Sequence, residues 1–198
     1  MPKTERIRRF RAAWFLTVFL LTAIGTGVNA QSVSFPGAKS ETESPDRRYV
    51  IRNSDSLTEN PAHTLWLVDA KGGSAIKIYQ YARSADVLWS PASDAFVIND
   101  YEGSNSTRPF LYAVPWTGTK IDLLEEFTHF LRGRHEERLV LKNDHVYFTV
   151  RRWINPHELL CQLEAYGAAS PHGSGFNGHY VYRIGEGFRP YNPKDQIN

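Results

Sequence analysis

Cysteine is almost absent from this sequence, because Cys161 is the only one among 198 residues. A single thiol excludes an internal disulfide framework and any zinc site built from several cysteines. The neighbouring Leu159, Leu160 and Leu163 are apolar, so we expect Cys161 to lie in the hydrophobic core. A disulfide between two chains is the alternative.

The sequence has little excess charge of either sign, with 23 basic and 21 acidic residues. Residues 1–30 contain five of the basic residues and one of the acidic ones. The remaining chain has 18 basic and 20 acidic residues, a formal net charge of −2. Nucleic-acid binding needs a basic surface that neutralises phosphates, so we expect no nucleic-acid partner.

Recurrent catalytic and cofactor motifs are also missing. The chain has no Gly-x-Ser-x-Gly nucleophile turn, no phosphate-binding Gly-Lys-Ser/Thr loop and no dinucleotide fingerprint. Residues 157–161 (HELLC) resemble a zinc-protease helix, but a cysteine replaces the second histidine. We therefore predict no catalytic residue, cofactor or metal site. Weaker alternatives are acid–base chemistry at residues 135–137 and a calcium loop within residues 99–106.

The N-terminal 30 residues have the three parts of a secretory signal peptide. Basic residues come first, an apolar stretch follows, and the small residues of Val28-Asn29-Ala30 end the segment. We predict cleavage between Ala30 and Gln31. An uncleaved membrane anchor is the alternative, although the apolar run is short for a membrane span. The residue directly after the predicted cleavage site is Gln31 and not a cysteine, which argues against a bacterial lipoprotein.

Short runs rich in β-branched and aromatic residues predict β-strands along most of the remaining chain. These runs define a β-rich domain over residues 44–189. A flexible lead-in is predicted at residues 31–43, and a tail without regular structure at 190–198. Residues 138–141 (RLVL) are predicted to be a strand, whereas residues 158–166 fit a strand or a helix equally well.

One segment has helical rather than strand spacing. Ile121, Leu124, Phe127 and Leu131 recur at intervals that place them on one helix face. The segment from Thr119 to Asp122 is typical of a helix start and Gly133 of a helix end, so we predict one short helix over residues 122–132. A strand followed by a loop is the alternative.

A segment pair recurs at an offset of about 46 residues. Residues 44–51 (SPDRRYVI) match residues 90–98 (SPASDAFVI), and residues 65–69 (LWLVD) match residues 111–114 (LYAV). A glycine turn follows both residues 65–69 and residues 111–114, at Gly72-Gly73 and at Gly118. A third, weaker copy begins near residue 142.

These residues, with Trp89-Ser90-Pro91, resemble the repeats of TolB-type and dipeptidyl-peptidase-type β-propellers. The resemblance implies antiparallel blades in which the Ser-Pro-Asp turn joins two strands. A blade takes roughly 40 to 50 residues and a closed ring at least about four blades. The 168 residues after the signal segment are too few. We therefore predict a mostly β fold of propeller-blade-like antiparallel sheets, as an incomplete propeller or a sandwich.

The tryptophans are the remaining functional signal. Trp66 and Trp89 lie within apolar strands and are predicted to be core residues. Trp116 lies in a Pro-Trp-Thr-Gly turn and Trp153 follows two arginines. We therefore predict Trp116 and Trp153 as surface residues that contact a ligand or partner.

These features predict an exported, non-catalytic binding or accessory protein of the cell envelope, either periplasmic or secreted. Its expected partner is a protein or glycan of the envelope, and it meets the membrane only through the signal segment before cleavage. Two alternatives stay open. One is a hydrolase that acts on envelope or carbohydrate material through paired carboxylates. The other is a structural subunit that completes a partner's propeller. Each is compatible with an oligomer.

Overall fold

The computed structural model describes residues 32–58, 60–167 and 175–196. The predicted signal peptide and its cleavage site at Ala30 and Gln31 lie outside these residues. In the described part, no helix is long and apolar enough to cross a membrane.

The described chain forms thirteen strands, two α-helices and a short C-terminal 3-10 helix. The first nine strands are Val33–Phe35 (β1), Glu41–Glu43 (β2), Tyr49–Asp55 (β3), His63–Asp69 (β4), Ile76–Tyr81 (β5), Ser84–Trp89 (β6), Ala95–Tyr101 (β7), Ser106–Ala113 (β8) and Lys120–Asp122 (β9). The remaining elements are Leu123–Arg132 (α1), Arg138–Leu141 (α2), His145–Asn155 (β10), Glu158–Tyr166 (β11), Phe176–Arg183 (β12), Gly187–Pro190 (β13) and the 3-10 helix Pro193–Gln196.

The strands form three packed units. The first unit is the antiparallel sheet β2-β3-β4-β5, the second is β6-β7-β8-β9, and the third is β10-β11-β12-β13 with the two helices. A short parallel pairing of β8 with β10 joins the second and third units into one sheet, and β1 pairs with β6. The mostly β prediction is confirmed, and the described strands do not close into a barrel.

The second unit is buried on both faces. Along β7, Phe96 and Ile98 pack toward the first unit, whereas Ala95 and Val97 pack toward the third. This follows from the two-residue side-chain period of a strand. The strand is therefore apolar at nearly every position, and its burial joins the two hydrophobic cores of the molecule.

The two Ser-Pro turns have the same backbone geometry. The Ser44 N–H donates to the Tyr49 carbonyl at 2.9 Å, and the Ser90 N–H donates to the Ala95 carbonyl at 2.8 Å. Arg47 and Ser93 occupy the same place in their turns, with φ values of 59° and 63°. The turns also touch, because the Asp46 N–H donates to the Ser93 hydroxyl at 3.0 Å. The wider resemblance to propeller repeats stays a prediction.

Helix α1 confirms the predicted helix at residues 122–132. Asp122 caps its N-terminus by accepting hydrogen bonds from the N–H groups of Leu124 and Glu125, both at 3.1 Å. Its apolar face buries Leu123, Phe127 and Leu131 against the third unit.

Three predictions of local structure are wrong. Residues 138–141 form the single helical turn α2 rather than a strand, because they continue from the turn that ends α1. The lead-in at 31–43 contains β1 and β2, since the buried Phe35 ties this segment to the core. The tail at 190–198 is partly regular, because Pro190 ends β13 and the 3-10 helix follows.

Two open questions about the third unit are answered. Residues 158–166 form strand β11. Cys161 is fully buried on that strand and forms no disulfide, which confirms its predicted core position. Burial raises the pKa of the Cys161 thiol well above its ordinary value. The thiol is therefore protonated and unreactive in the folded protein.

Candidate functional site

A cleft of about 320 Å³ lies in the third unit, between the α1–α2 connection and strands β12 and β13. It combines basic groups, imidazoles and aromatic rings on one concave surface. Its lining residues are Arg134, His135, Glu136, Arg138, Leu139, Phe176, Gly178, His179, Tyr180 and Pro190. Because strands support one wall and a hydrogen-bonded turn the other, both walls are held in place.

The first wall is built by the turn that ends α1. The His135 N–H donates to the Arg132 carbonyl at 3.1 Å, and the Glu136 N–H donates to the Leu131 carbonyl at 2.9 Å. This is the Schellman pattern, which places one residue in the left-handed region. That residue is His135, with a φ of 59°, where glycine is usual. The strained turn lines the cleft with the imidazole and both flanking charged residues.

The second wall depends on a glycine in β12. A Cβ atom placed on Gly178 would lie 2.7 Å from two ring carbons of Phe176 and 3.1 Å from a ring carbon of Tyr180. The Phe176 ring therefore lies across the strand at a place that only glycine leaves open. This wall of the cleft is an aromatic surface, and any larger residue at position 178 would displace it.

The charged groups of the cleft are unevenly paired. Arg134 donates to Glu136 at 3.0 Å, and its guanidinium lies 5.6 Å from the centre of the Phe130 ring. Within the described residues, Arg138 has no ion-pair partner, and its side chain is exposed. The two guanidiniums face one carboxylate, so the cleft carries a net positive charge. Arginine is well suited to bind carboxylate or phosphate oxygens.

Tyr180 adds a hydrogen-bond donor to this positive cleft. Burial raises the pKa of its hydroxyl, and the neighbouring Glu136 carboxylate raises it further. The hydroxyl therefore stays protonated at neutral pH. Tyr180 thus lines the cleft together with two arginines.

The predicted contact residues Trp116 and Trp153 do not line this cleft. Trp116 is partly buried, with its ring 5.1 Å from that of Tyr112 on the second unit. The prediction for Trp153 is wrong: it is only 7% exposed, and its indole N–H donates to the Leu88 carbonyl at 3.2 Å. The two preceding arginines predict a surface position. Trp153 faces inward instead, in a part of β10 where the register with β11 is irregular on both sides of it.

The predicted core tryptophans differ from each other. Trp89 is 3% exposed and packs with Phe96, so its core prediction is confirmed. The prediction for Trp66 is wrong, because its side chain is on the partly open outer face of the first unit, where it donates to the Ser54 hydroxyl at 2.8 Å. The first unit packs on one face only, so its strands alternate between buried and open positions.

The residues of the cleft were only partly visible in the sequence. Residues 135–137 are weak acid–base candidates in the sequence, because they lie within a charged stretch typical of a solvated connector. Phe176 and Tyr180 come about forty positions later and carry no motif. Tyr180 on β12 and Phe188 on β13 pack against Phe127 of α1, and this packing brings the two segments together.

A second group of titratable residues lies between the first and second units. The Tyr79 hydroxyl on β5 donates to Asp100 on β7 at 2.6 Å. Burial raises the pKa of Asp100, although the hydrogen bond from Tyr79 acts in the opposite direction. Lys120 lies above the rings of Tyr79 and Phe110, and burial lowers its pKa. These contacts tie two sheets together.

The described residues support neither the calcium loop nor the zinc-protease pattern. Asn99 exchanges two hydrogen bonds of 2.9 Å with the backbone of Val150, so its amide is not available as a calcium ligand. Residues 158–161 lie on a strand rather than a helix, and Cys161 points into the core. No group of three or more metal-binding side chains comes together in the described part of the chain.

No protein-family model matches this chain, and no curated protein matches it either. The function is therefore inferred from the chemistry of the cleft.

Proposed function

We propose that this protein is an exported binding or accessory protein of the cell envelope and that the cleft holds its ligand. The ligand is a small molecule or side group that carries an oxyanion beside a flat apolar part. The observation that supports the proposal most is the meeting of Arg134, Arg138 and the Tyr180 hydroxyl with the aromatic wall of Phe176. Ligand sites commonly combine an apolar wall with a few placed polar groups.

The charge of the cleft favours an anion over a neutral ligand. Arg134 is already paired with Glu136, whereas Arg138 is exposed and open to a new partner. A carboxylate or phosphate that reaches Arg138 would gain charge-assisted hydrogen bonds, which are about twice as strong as neutral ones. The aromatic wall would cover the apolar part of the same ligand and remove it from water.

A thermal-shift series with three probes tests this assignment. Phenyl phosphate carries both features, inorganic phosphate carries the anion alone, and phenol carries the ring alone. We expect phenyl phosphate to raise the melting temperature most, because a ligand that binds only the folded state stabilises it. Equal shifts with phenyl phosphate and inorganic phosphate would show that the aromatic wall contributes nothing.

Gly178→Ala is the variant that tests the aromatic wall. The added methyl group meets the Phe176 ring and displaces it, so the gain of phenyl phosphate over phosphate should disappear. Gly103→Ala is the matched control, because a Cβ at Gly103 meets nothing closer than 3.9 Å. The export part of the proposal is tested separately, by N-terminal sequencing of the envelope fraction. We expect a start at Gln31, and a product that begins at Met1 would contradict it.

A further inference from the structure

The outer face of strands β10, β11 and β12 carries a row of aromatic and amide side chains away from the cleft. The residues of this outer face are His145, Tyr147, Gln162, Glu164, Tyr166 and Asn177. They alternate with Val146, Phe148, Leu163 and Ala165, whose side chains enter the core. The face is therefore a second surface of the third unit, and it borders the cleft at His179, which is paired with Gln162 and also lines the cleft.

Tyr166 is held in one orientation on this outer face. It lies directly opposite His145 in the β10–β11 pairing, and the two rings stack at 4.3 Å with an angle of 15° between their planes. The Tyr147 hydroxyl lies 3.3 Å from the Tyr166 hydroxyl and donates to the Ser104 carbonyl. One face of the Tyr166 ring is thus covered by the histidine, and its rim is fixed by hydrogen bonds.

Among the described residues, the strand neighbour of Tyr166 on its other side is a glycine. Phe176 pairs with Ala165, so Gly175 is the neighbour of Tyr166 on the β12 side. A Cβ on Gly175 would lie 3.3 Å from the Tyr166 Cβ atom and 4.0 Å from a ring carbon. Because glycine has no side chain, nothing from this position covers the ring. Tyr166 is 43% exposed, which is unusual for a ring already stacked on one face.

Hydrogen-bonding groups lie beside this open ring face. Glu164 and Asn177 are paired across β11 and β12 one side-chain step further along the strands, a distance of about 7 Å. Gln162 donates to Glu164 at 2.7 Å and to Asn177 at 3.1 Å, which holds all three groups in place. The Asn177 amide and the Glu164 carboxylate are exposed and have capacity for further hydrogen bonds.

We propose that the outer face binds a neutral carbohydrate chain, with one pyranose ring stacked on Tyr166 above Gly175. A sugar ring presents an apolar face of C–H groups to the aromatic ring and hydroxyl groups at its edge to Glu164 and Asn177. A purely apolar partner would bury those two groups without hydrogen bonds, which is unfavourable. An anionic partner would be repelled by the carboxylates of Glu164 and Asp144. The Asp144 carboxylate lies against Gly167.

Titration calorimetry of the full chain with cellotetraose and with tetra-N-acetylchitotetraose tests this proposal. We expect the wild type to bind at least one of them in the millimolar range or tighter. Tyr166→Ala should weaken binding about tenfold or more, since it removes the stacking surface. Tyr166→Phe keeps the ring and should bind within about threefold of the wild type.

Gly175→Leu provides an independent test, because it covers the open ring face without removing the tyrosine. Binding should be lost in this variant, while its circular dichroism spectrum and melting temperature show that it is folded. Lys77→Ala, at an exposed position of the first unit, should leave carbohydrate affinity unchanged. The proposal is overturned if neither oligosaccharide binds. It is also overturned if Tyr166→Ala and Gly175→Leu bind like the wild type, or if only the acidic polysaccharide polygalacturonate binds.

Discussion

The polar residues at the turns of the first two units and of the third unit differ in how far along the chain their hydrogen-bond partners lie. Before β3 and β7, the turn serines bond to residues within five positions of themselves, such as Asp46 and Asp94. At the first residue of β11, the Glu158 carboxylate accepts hydrogen bonds from Asn155 and from Arg183, which lies 25 positions away. Ser44 and Ser90 therefore close their own turns locally, although the two turns also touch through Asp46 and Ser93. The corresponding carboxylate of the third unit depends on a distant arginine, and this unit carries both proposed binding surfaces.

The largest effect that separates the units is expected from Phe127→Ala. Phe127 is fully buried, stacks on Phe148 at 4.4 Å and meets the edges of Tyr180 and Phe188. Its removal should lower the free energy of unfolding by about 3–5 kcal/mol. In hydrogen exchange we expect β10–β13 to lose more protection than β2–β5. An equal loss in all strands would mean that the units do not differ in local stability.

Glu158→Gln tests whether distant ion pairs matter more than local ones. Burial would raise the pKa of Glu158, but hydrogen bonds from Arg183 and Asn155 outweigh it and lower that pKa below the usual 4.5. Its stabilising contribution is therefore present above pH 4.5 and is lost as the pH falls. We expect a loss of about 1–3 kcal/mol at neutral pH, and a much smaller one at acidic pH, in urea unfolding.

Asp46→Asn is the matched control from the first unit. Hydrogen bonds from Arg48 and Ser44 outweigh burial and lower the pKa of Asp46 to about 2, but the Asp46–Arg48 pair is largely exposed. Exposed pairs contribute about 1 kcal/mol or less. If Asp46→Asn cost as much as Glu158→Gln, the contrast between local and distant pairing would fail.

Asp100→Asn should show the opposite dependence on pH. The raised pKa of Asp100 means that the folded state binds its proton more tightly than the unfolded state. Its contribution is present below the usual pKa of 3.8 and is lost as the pH rises. Relative to the wild type, the variant should gain stability between acidic and neutral pH, because burial disfavours the ionised Asp100 carboxylate. A pH-independent difference in urea unfolding would contradict this.

The smallest expected effect belongs to His135→Gly. Glycine adopts the left-handed region without the steric penalty of a side chain, so the variant should be more stable by about 1 kcal/mol. The same change removes an imidazole from the cleft. We expect a higher melting temperature in calorimetry. A lower one would show that the His135 side chain stabilises the turn.

The parts of the fold that follow from local chemistry were predictable from the sequence. The Asp122 cap and the spacing of Phe127 and Leu131 define α1, and the Ser-Pro turns mark the start of β3 and β7. The strand β1 was not predictable, because it is ordered by the burial of Phe35 against β6. Trp66 and Trp153 were assigned to the wrong sides because their exposure depends on which sheet face packs against another unit.

The candidate site was less predictable than the fold. Its cationic turn is continuous in sequence, but the aromatic wall comes from a separate strand and depends on the absence of a side chain at Gly178. The close approach of the Phe176 ring to Gly178 and the open face of the Tyr166 ring are not marked by any pattern of residue types or spacings in the sequence. Both arise from strand pairing, which is a property of the whole third unit.

The central claim is that the third unit binds an anionic ligand through the cleft, and calorimetric titration with phenyl phosphate tests it most directly. Arg138→Ala removes the open guanidinium and should weaken binding about tenfold, since hydrogen bonds to charged groups contribute about 1.5–3 kcal/mol. Arg152→Ala removes an exposed arginine of the same unit outside the cleft and should leave the affinity unchanged. Equal affinities for the wild type and Arg138→Ala, or equal losses in both variants, would contradict the claim.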